Sequence, residues 1–469
     1  MPPEPTEPLT VELRRHAPVP LGVQLASQVR ALTTKGVLAA GTRLPSSRAL
    51  AAELSVARSV VEQAYDQLQA EGWLRAVRGA GTYVADLPAS ASPPAHSNAE
   101  PKRLPADESS VSLDTGTPWQ DPRPDAGWRR AWRQVSMSRP PRGYPDPAGL
   151  VELREELSAY LARRRGVRRT PDEIVITAGT THAFGLLLDT LGRGGCVAIE
   201  DPGYRAAVAV VEAAGLEVSD IPVDAFGLDV ATLSQLGRDD IRAVYVTPAH
   251  QHPLGVTMSA ARRVALISEA ARRSAYIIED DYDSEFRYDV APVPALASLD
   301  RHRVVYVGTV SKVLHPGLRL GWLAADRDLV KRLVARRAAR HDHPSWPVQV
   351  AVHTMLREGY LDRVTRTARR VYAERSALVV SRLGVAGGER ATSAGMYITV
   401  EMPAHVARSA VATARAAGFQ LPSLADYCRS SDRHGIVLGY GGVSQAELHR
   451  ALDAVEAGVR RAEHSRGMA

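Results

Sequence analysis

Lysine is scarce in this chain, and one of its lysines stands where an amine could do chemistry. Of 58 Lys+Arg residues only Lys35, Lys102, Lys312 and Lys331 are lysine. Where positive charge alone is wanted, the sequence uses arginine. A guanidinium stays protonated and cannot condense with a carbonyl, whereas an amine can form an imine. Lys312 closes the run Val304-Val305-Tyr306-Val307-Gly308-Thr309-Val310-Ser311-Lys312. Its β-branched residues read as a strand, and the small hydroxyl residues at its end could hold a phosphate. A partly desolvated amine at the end of a core strand fits a Schiff-base lysine for pyridoxal 5'-phosphate (PLP). A stray lysine in an arginine-rich chain is the alternative at this point.

Four more apolar runs, at 174–177, 196–199, 243–246 and 276–278, end in polar residues in the same way. After the first, Ala178-Gly179-Thr180-Thr181 opens a helix, and helix-start amides with two hydroxyls make an anion site. After the second, Glu200-Asp201-Pro202-Gly203-Tyr204 presents an aromatic that could stack on a flat ring or simply pack. After the third comes the polar loop Thr247-Pro248-Ala249-His250-Gln251-His252-Pro253-Leu254-Gly255. After the fourth, Glu279-Asp280-Asp281-Tyr282-Asp283-Ser284-Glu285 crowds carboxylates that repel one another unless a cation or proton is present. A metal is one reading, although no histidine lies in that run. A protonated pyridine nitrogen bound by one carboxylate is the other. Arg319 follows Lys312 by seven residues.

The elements that must position these residues follow from length and pattern. A chain of 469 residues exceeds what one core supports, so two or three domains are expected. No apolar run approaches the ~20 residues that span a bilayer, and the Pro- and Glu-rich start does not read as a signal peptide. Two cysteines cannot build a disulfide framework, which points to a reducing cytoplasm. The net charge of +6 is compatible with nucleic-acid binding without establishing it. Residues 87–110 are rich in Pro, Ala and Ser with almost nothing to bury, and read as a flexible linker. The five apolar runs alternate with helical stretches. That is an α/β pattern with a mainly parallel sheet buried on both faces, whose ligands sit at the carboxyl ends of its strands.

Before the linker, apolar spacing predicts a helix over Pro20–Thr34 with Leu21, Leu25, Val29 and Leu32 inward. A turn through Ser46 and Ser47, one of them a plausible N-cap, enters a second helix that runs to Leu54. A third spans Ala57–Glu71 and stops at Gly72. Residues 73–84 read as a hairpin with a glycine-rich tip. This layout, with Gly41-Thr42-Arg43-Leu44-Pro45-Ser46-Ser47-Arg48, Glu71-Gly72-Trp73-Leu74 and Gly79-Ala80-Gly81-Thr82-Tyr83-Val84, resembles the GntR-type winged helix-turn-helix over about residues 9–86. The resemblance implies binding to double-stranded promoter DNA. Arg58 and Ser59, at the start of the third helix, are expected against base edges. Arg48 and Arg78 are expected at backbone phosphate or the minor groove. Arg43, Ser46, Ser47 and Gly79 complete the expected contact set.

From about residue 111 to 460, within a domain expected at 111–465, the order of phosphate loop, tyrosine, Asp, Lys and Arg resembles the fold-type I aspartate-aminotransferase superfamily. With its head, the whole chain resembles the MocR/GabR-type transcriptional regulators. The resemblance implies that Lys312 carries PLP and that Asp280 pairs with the pyridine nitrogen, keeping the ring an electron sink. It further implies that Tyr282 donates to the ring oxygen, that Tyr204 stacks on the ring, and that Gly179, Thr180, Thr181, Thr309, Ser311 and Arg319 bind the phosphate. His252 stands where such enzymes commonly have an Asn beside the ring. Two positions depart further. Val437 and Ala206 occupy places where relatives carry carboxylate-binding arginines, with Arg433 and Arg205 as possible substitutes. The reading is therefore a homodimeric, PLP-dependent regulator sensing PLP itself or an amine, with no membrane partner and no metal. An active aminotransferase with an accessory head, and a DNA-binding protein with a degenerate domain, are the competing readings.

Overall fold

The computed structural model describes residues 11–15, 17, 19–77, 81–85, 110–121, 125–287, 294–383 and 395–466. Internal contacts divide the chain into two units, Met1–Leu104 and Pro105–Ala469. The expected linker falls outside the described residues except for Ser110, as do Arg78 and Gly79 at the hairpin tip.

In the first unit, α1 (Leu21–Thr34), α2 (Ser47–Glu53) and α3 (Arg58–Ala70) are followed by β1 (Leu74–Val77) and β2 (Gly81–Val84). Leu25 and Val29 on α1, and Val61, Ala64 and Leu68 on α3, lie on single helical faces and are fully buried with Leu50 and Val84. Ser46 caps α2, its Oγ accepting from Ala49 N at 3.2 Å. Gly72, at φ +81°, turns the chain out of α3, and Trp73 N donates back to Leu68 O at 2.8 Å. The hairpin is antiparallel, with Leu74 opposite Val84 and Val77 opposite Gly81.

The second unit opens with β3 (Val111–Ser112), α4 (Ala126–Met137) and α5 (Val151–Arg165). Then come β4 (Ile174–Thr177), α6 (Thr180–Leu191), β5 (Cys196–Asp201), α7 (Arg205–Ala213), β6 (Glu217–Asp224) and β7 (Gly227–Leu228). β8 (Ile241–Val246), β9 (Tyr276–Asp281), β10 (Val304–Thr309) and β11 (Gly321–Ala324) complete an eight-stranded sheet of order β4-β11-β10-β9-β8-β5-β6-β7. β10, β9, β8, β5 and β6 are mutually parallel. β11 runs antiparallel to both β10 and β4, and β7 antiparallel to β6. The five expected strands all lie in this sheet. Alternation splits each between two cores, as a strand buried on both faces requires: Val304 and Tyr306 enter one, Val305 and Val307 the other. Outside the sheet, β12 (Tyr397–Glu401) pairs with β14 (Gly435–Gly439), and β13 (Phe419–Gln420) runs parallel to β3. Among the described residues no helix is long and apolar enough to cross a membrane.

Candidate functional site

The loops after β4, β5, β8, β9 and β10 converge on one cavity of about 190 Å³. Gly179, Thr180, Thr181, Tyr204, His252, Asp280, Tyr282, Thr309, Ser311, Lys312 and Arg319 all line it. Thr115, Gly116, Thr247 and Pro316, which sequence reasoning did not single out, line it too.

One end is built for an anion. Gly179 ends the connection from β4 at φ +100°, a conformation that glycine tolerates, and no side chain among the described residues caps α6. A Cβ at Gly179 would lie 3.4 Å from Arg319 Nη2, so the guanidinium lies close against the helix start. Thr309 Oγ1 accepts from Ser311 N at 3.1 Å and donates to Leu320 O at 3.0 Å, which fixes the turn after β10. Arg319 adopts the left-handed conformation at φ 47°. Its guanidinium has no carboxylate partner among the described residues. Uncapped amides, two threonines and an unpaired guanidinium together suit a phosphate.

At the other end, Lys312 Nζ donates to Gly116 O at 2.8 Å. Burial depresses the amine below the usual lysine range, opposed by the carboxylates of Asp114, Asp283 and Asp280. Alternation along β9 separates the crowded acids. Glu279 accepts from Leu296 N and Ala297 N at 2.7 and 2.8 Å. Asp281 accepts from Arg165 and Tyr306 at 2.5 and 2.6 Å. Asp280 points the opposite way, into the cavity. Beyond the strand, Asp283 Oδ2 lies 2.7 Å from His250 Nδ1, and Glu285 accepts from Tyr160 at 3.0 Å. No group of His, Cys, Asp or Glu able to hold a metal occurs among the described residues.

Asp280 is the telling member. Its Oδ2 accepts from Tyr245, while its Oδ1 is buried with no hydrogen-bond partner among the described residues. Burial pushes its carboxyl up to about 7. A buried orphan acceptor is costly unless a donor arrives. An N–H⁺ offered from within the cavity would satisfy it.

His252 is ringed edge-on by Tyr204, Tyr282, Tyr397 and Tyr427, with centroids 5.2–5.9 Å away. Burial, with the charge of Lys312, depresses it to about 3, so the imidazole is neutral. The Tyr282 hydroxyl lies 2.8 Å from Tyr397 and donates to His250 O at 3.0 Å. Val437 is fully buried on β14, opposite Thr399. Arg433 forms a bidentate pair with Glu401 at 2.5 and 3.0 Å and does not line the cavity. Arg205 borders a separate cavity of about 230 Å³ with Glu200, Tyr427 and Arg429.

On the head, Arg58, Ser59, Arg48, Arg43 and Ser46 are exposed. Arg58 is held by Glu62 at 2.8 Å, and Ser47 Oγ reaches the same carboxylate at 3.5 Å. Glu62 thus organises the face and was not among the expected residues.

Residues 110–430 match the family model "Aminotransferase class I and II", and residues 21–84 match "Bacterial regulatory proteins, gntR family". The chain is 33% identical over 464 residues to the pyridoxine biosynthesis transcriptional regulator PdxR of Corynebacterium glutamicum, covering 96% of this chain and 99% of that one. It is 30% identical to the probable rhizopine catabolism regulatory protein MocR of Rhizobium meliloti, covering 97% and 96%. The chain belongs to the MocR-type regulators. Its large unit is also similar to a solved archaeal alanine:glyoxylate aminotransferase, at TM-score 0.68 and 26% identity over 76% of this chain and 91% of that one. In this family a GntR DNA-binding head is joined to an aminotransferase-like domain, and a regulator is favoured over a free-standing aminotransferase.

Proposed function

We propose that this chain regulates transcription through a head at 9–86 that binds promoter DNA and a domain at 111–465 that holds PLP, joined by a linker at 87–110. The buried, unpartnered Oδ1 of Asp280 carries the reading. It faces a cavity that also holds Lys312 and, at its far end, the unpaired Arg319. When bound, PLP supplies an aldehyde that captures primary amines and a protonated pyridine ring that withdraws electrons. Lys312 would hold the aldehyde carbon. Asp280 would hold the ring nitrogen's proton, backed by Tyr245. Gly179, Thr180, Thr181, Thr309, Ser311 and Arg319 would hold the phosphate, and Tyr204 and His252 would flank the ring.

The effector follows from what the cavity lacks. Arg319 at the anion end is the one arginine among the described residues lining the cavity. Val437 is fully buried in the core and Arg433 is committed to Glu401, so a ligand's own carboxylate finds no second guanidinium there. Burying an uncompensated carboxylate costs several kcal/mol, enough to abolish useful affinity. PLP itself, or an amine without that carboxylate, is the expected signal. It acts by binding two states of the protein unequally. The unpaired cysteines Cys196 and Cys428 suit a reducing cytoplasm. A homodimer presenting two heads would read two half-sites.

The test is a visible absorption spectrum of purified protein with PLP, run beside promoter gel shifts with apo and loaded protein. A yellow band is expected, lost in Lys312→Ala. Colour unchanged in that variant would sink the assignment. A large spectral and footprinting response to γ-aminobutyrate would refute the effector reading.

A further inference from the structure

The segment leaving the linker runs straight to the wall of the cavity. Ser110 Oγ accepts from Gln420 Nε2 at 2.5 Å, Val111 pairs with Phe419, and Leu113 O accepts from Gly439 N at 2.8 Å. Asp114 then builds a turn. Its Oδ1 accepts from Gly116 N and Thr117 N at 2.5 and 2.8 Å, and its Oδ2 from Ser112 Oγ at 2.8 Å. The turn aims Gly116 O at Lys312 Nζ, 2.8 Å away. The turn is tight at Gly116: a Cβ there would lie 3.0 Å from Asp114 Oδ1, so the carboxylate would have to give by a few tenths of an ångström, and in ordinary contact with Nζ at 3.5 Å. Beyond the turn, Trp119 N donates to Tyr372 at 2.8 Å and Gln120 Nε2 to Leu314 O at 2.7 Å.

We propose that Asp114 is a positioning residue for Lys312, and that the turn it builds carries occupancy of the cavity to the root of the linker. The inference rests on the PLP reading. An ammonium has three donors, one of which is spent on Gly116 O. When the neutral amine condenses with the cofactor's aldehyde, its nitrogen gives up two hydrogens, which leave with the carbonyl oxygen as water. A carbon–nitrogen double bond takes their place. After protonation at most one N–H remains, and the cofactor sets its direction. Gly116 O then loses its donor, and the strand leaving the linker loses its tie to the cavity.

Hydrogen exchange on the full chain, with and without PLP, tests the relay. Loading should speed exchange in 113–121 about tenfold or more, the size expected for losing a charge-assisted bond, while 178–183 slows. Asp114→Ala should speed exchange in 113–121 without PLP and slow colour formation at high pH, where the amine is neutral with or without the carboxylate. It should also move the pH profile of colour formation downward, since the carboxylate favours the ammonium. Asp114→Asn keeps an acceptor for the turn but no charge, so it should restore exchange protection while leaving the pH profile displaced. Exchange in 113–121 that is unchanged or slowed on loading, with the visible band present, overturns the relay and leaves the PLP reading intact. Unchanged rate and pH profile of colour formation in Asp114→Ala overturns the positioning role. A wild-type chain that never colours removes both the inference and the reading beneath it.

Discussion

Arg58 and Asp280 each anchor the proposed ligand of their unit, and they sit in different dielectrics. The Arg58 side chain is 62% exposed and rests on Glu62. Asp280 is 4% exposed and leaves one oxygen unsatisfied. Water serves Arg58 while no DNA is bound, so its charge costs the fold little. Asp280 is shut off from water, and its charge is a burden on the apo fold that Tyr245 and Lys312 offset in part and that a proton or a ligand's donor relieves further. An exposed reader can therefore be altered without unfolding its unit. A buried sensor ties ligand affinity to stability.

The largest test of this contrast is Asp280→Ala. It should weaken PLP binding by about 10- to 100-fold, the worth of a charge-assisted hydrogen bond, while the apo domain still folds. Absorbance titration measures it, and equal affinity in the variant would break the comparison.

The pH response of apo stability comes next. Burial raises Glu200, Glu279, Asp280 and Glu285 to about 7 in the fold, against roughly 4 when unfolded. Raised carboxyls favour the neutral form. Their contribution is thus fully present below about pH 4 and is lost as pH rises toward and through 7. Thermal melts of apo protein should fall in midpoint from pH 5 to pH 8. Asp280→Asn should flatten that slope and be the more stable apo protein at pH 8. A rising midpoint over this range would contradict the assignment.

On the exposed side, Arg58→Ala should cost roughly 1–3 kcal/mol of specific DNA binding and relax base preference, with the melting of the head nearly unchanged. Ser46→Ala, which removes the α2 cap, should cost the head ~1 kcal/mol in a melt of residues 1–86. The smallest effect belongs to Arg48→Ala. Binding should weaken alike for all sequences and the salt slope should fall by about one, whereas a base-specific loss would move Arg48 to the reading set.

Much of this was legible in the chain because strands buried on both faces announce themselves as short apolar runs. Polar residues in such a sheet collect at the ends of those runs, so the meeting of Lys312, Asp280 and Thr180 about one cavity could be read directly. β6 escaped notice because, near the sheet edge, its sequence mixes apolar and polar residues. β11 has four residues, and the Pro316-Gly317 turn before it signals a bend without announcing so short a strand. Tyr245 reads as one more apolar strand residue. Only the pairing of β8 with β9, Tyr245 beside Ile278, brings its hydroxyl to Asp280. Glu62 likewise looks like an ordinary solvated acid until the start of α3 is folded beside Ser47. The role of 114–117 was hidden by its distance from Lys312 along the chain.

The antiparallel insertion of β11 between β4 and β10 also fixes an order of events at the ribosome. Among the described residues, the core of the head lies between Val11 and Val84, so that core can assemble once those residues have emerged. Among the described residues β4 pairs with β11 alone, so it has no sheet neighbour until Gly321–Ala324 has been made. Translation therefore completes the GntR-type head well before the sheet of the large unit can close. A chain interrupted in that interval would carry a folded head with no closed sheet behind it.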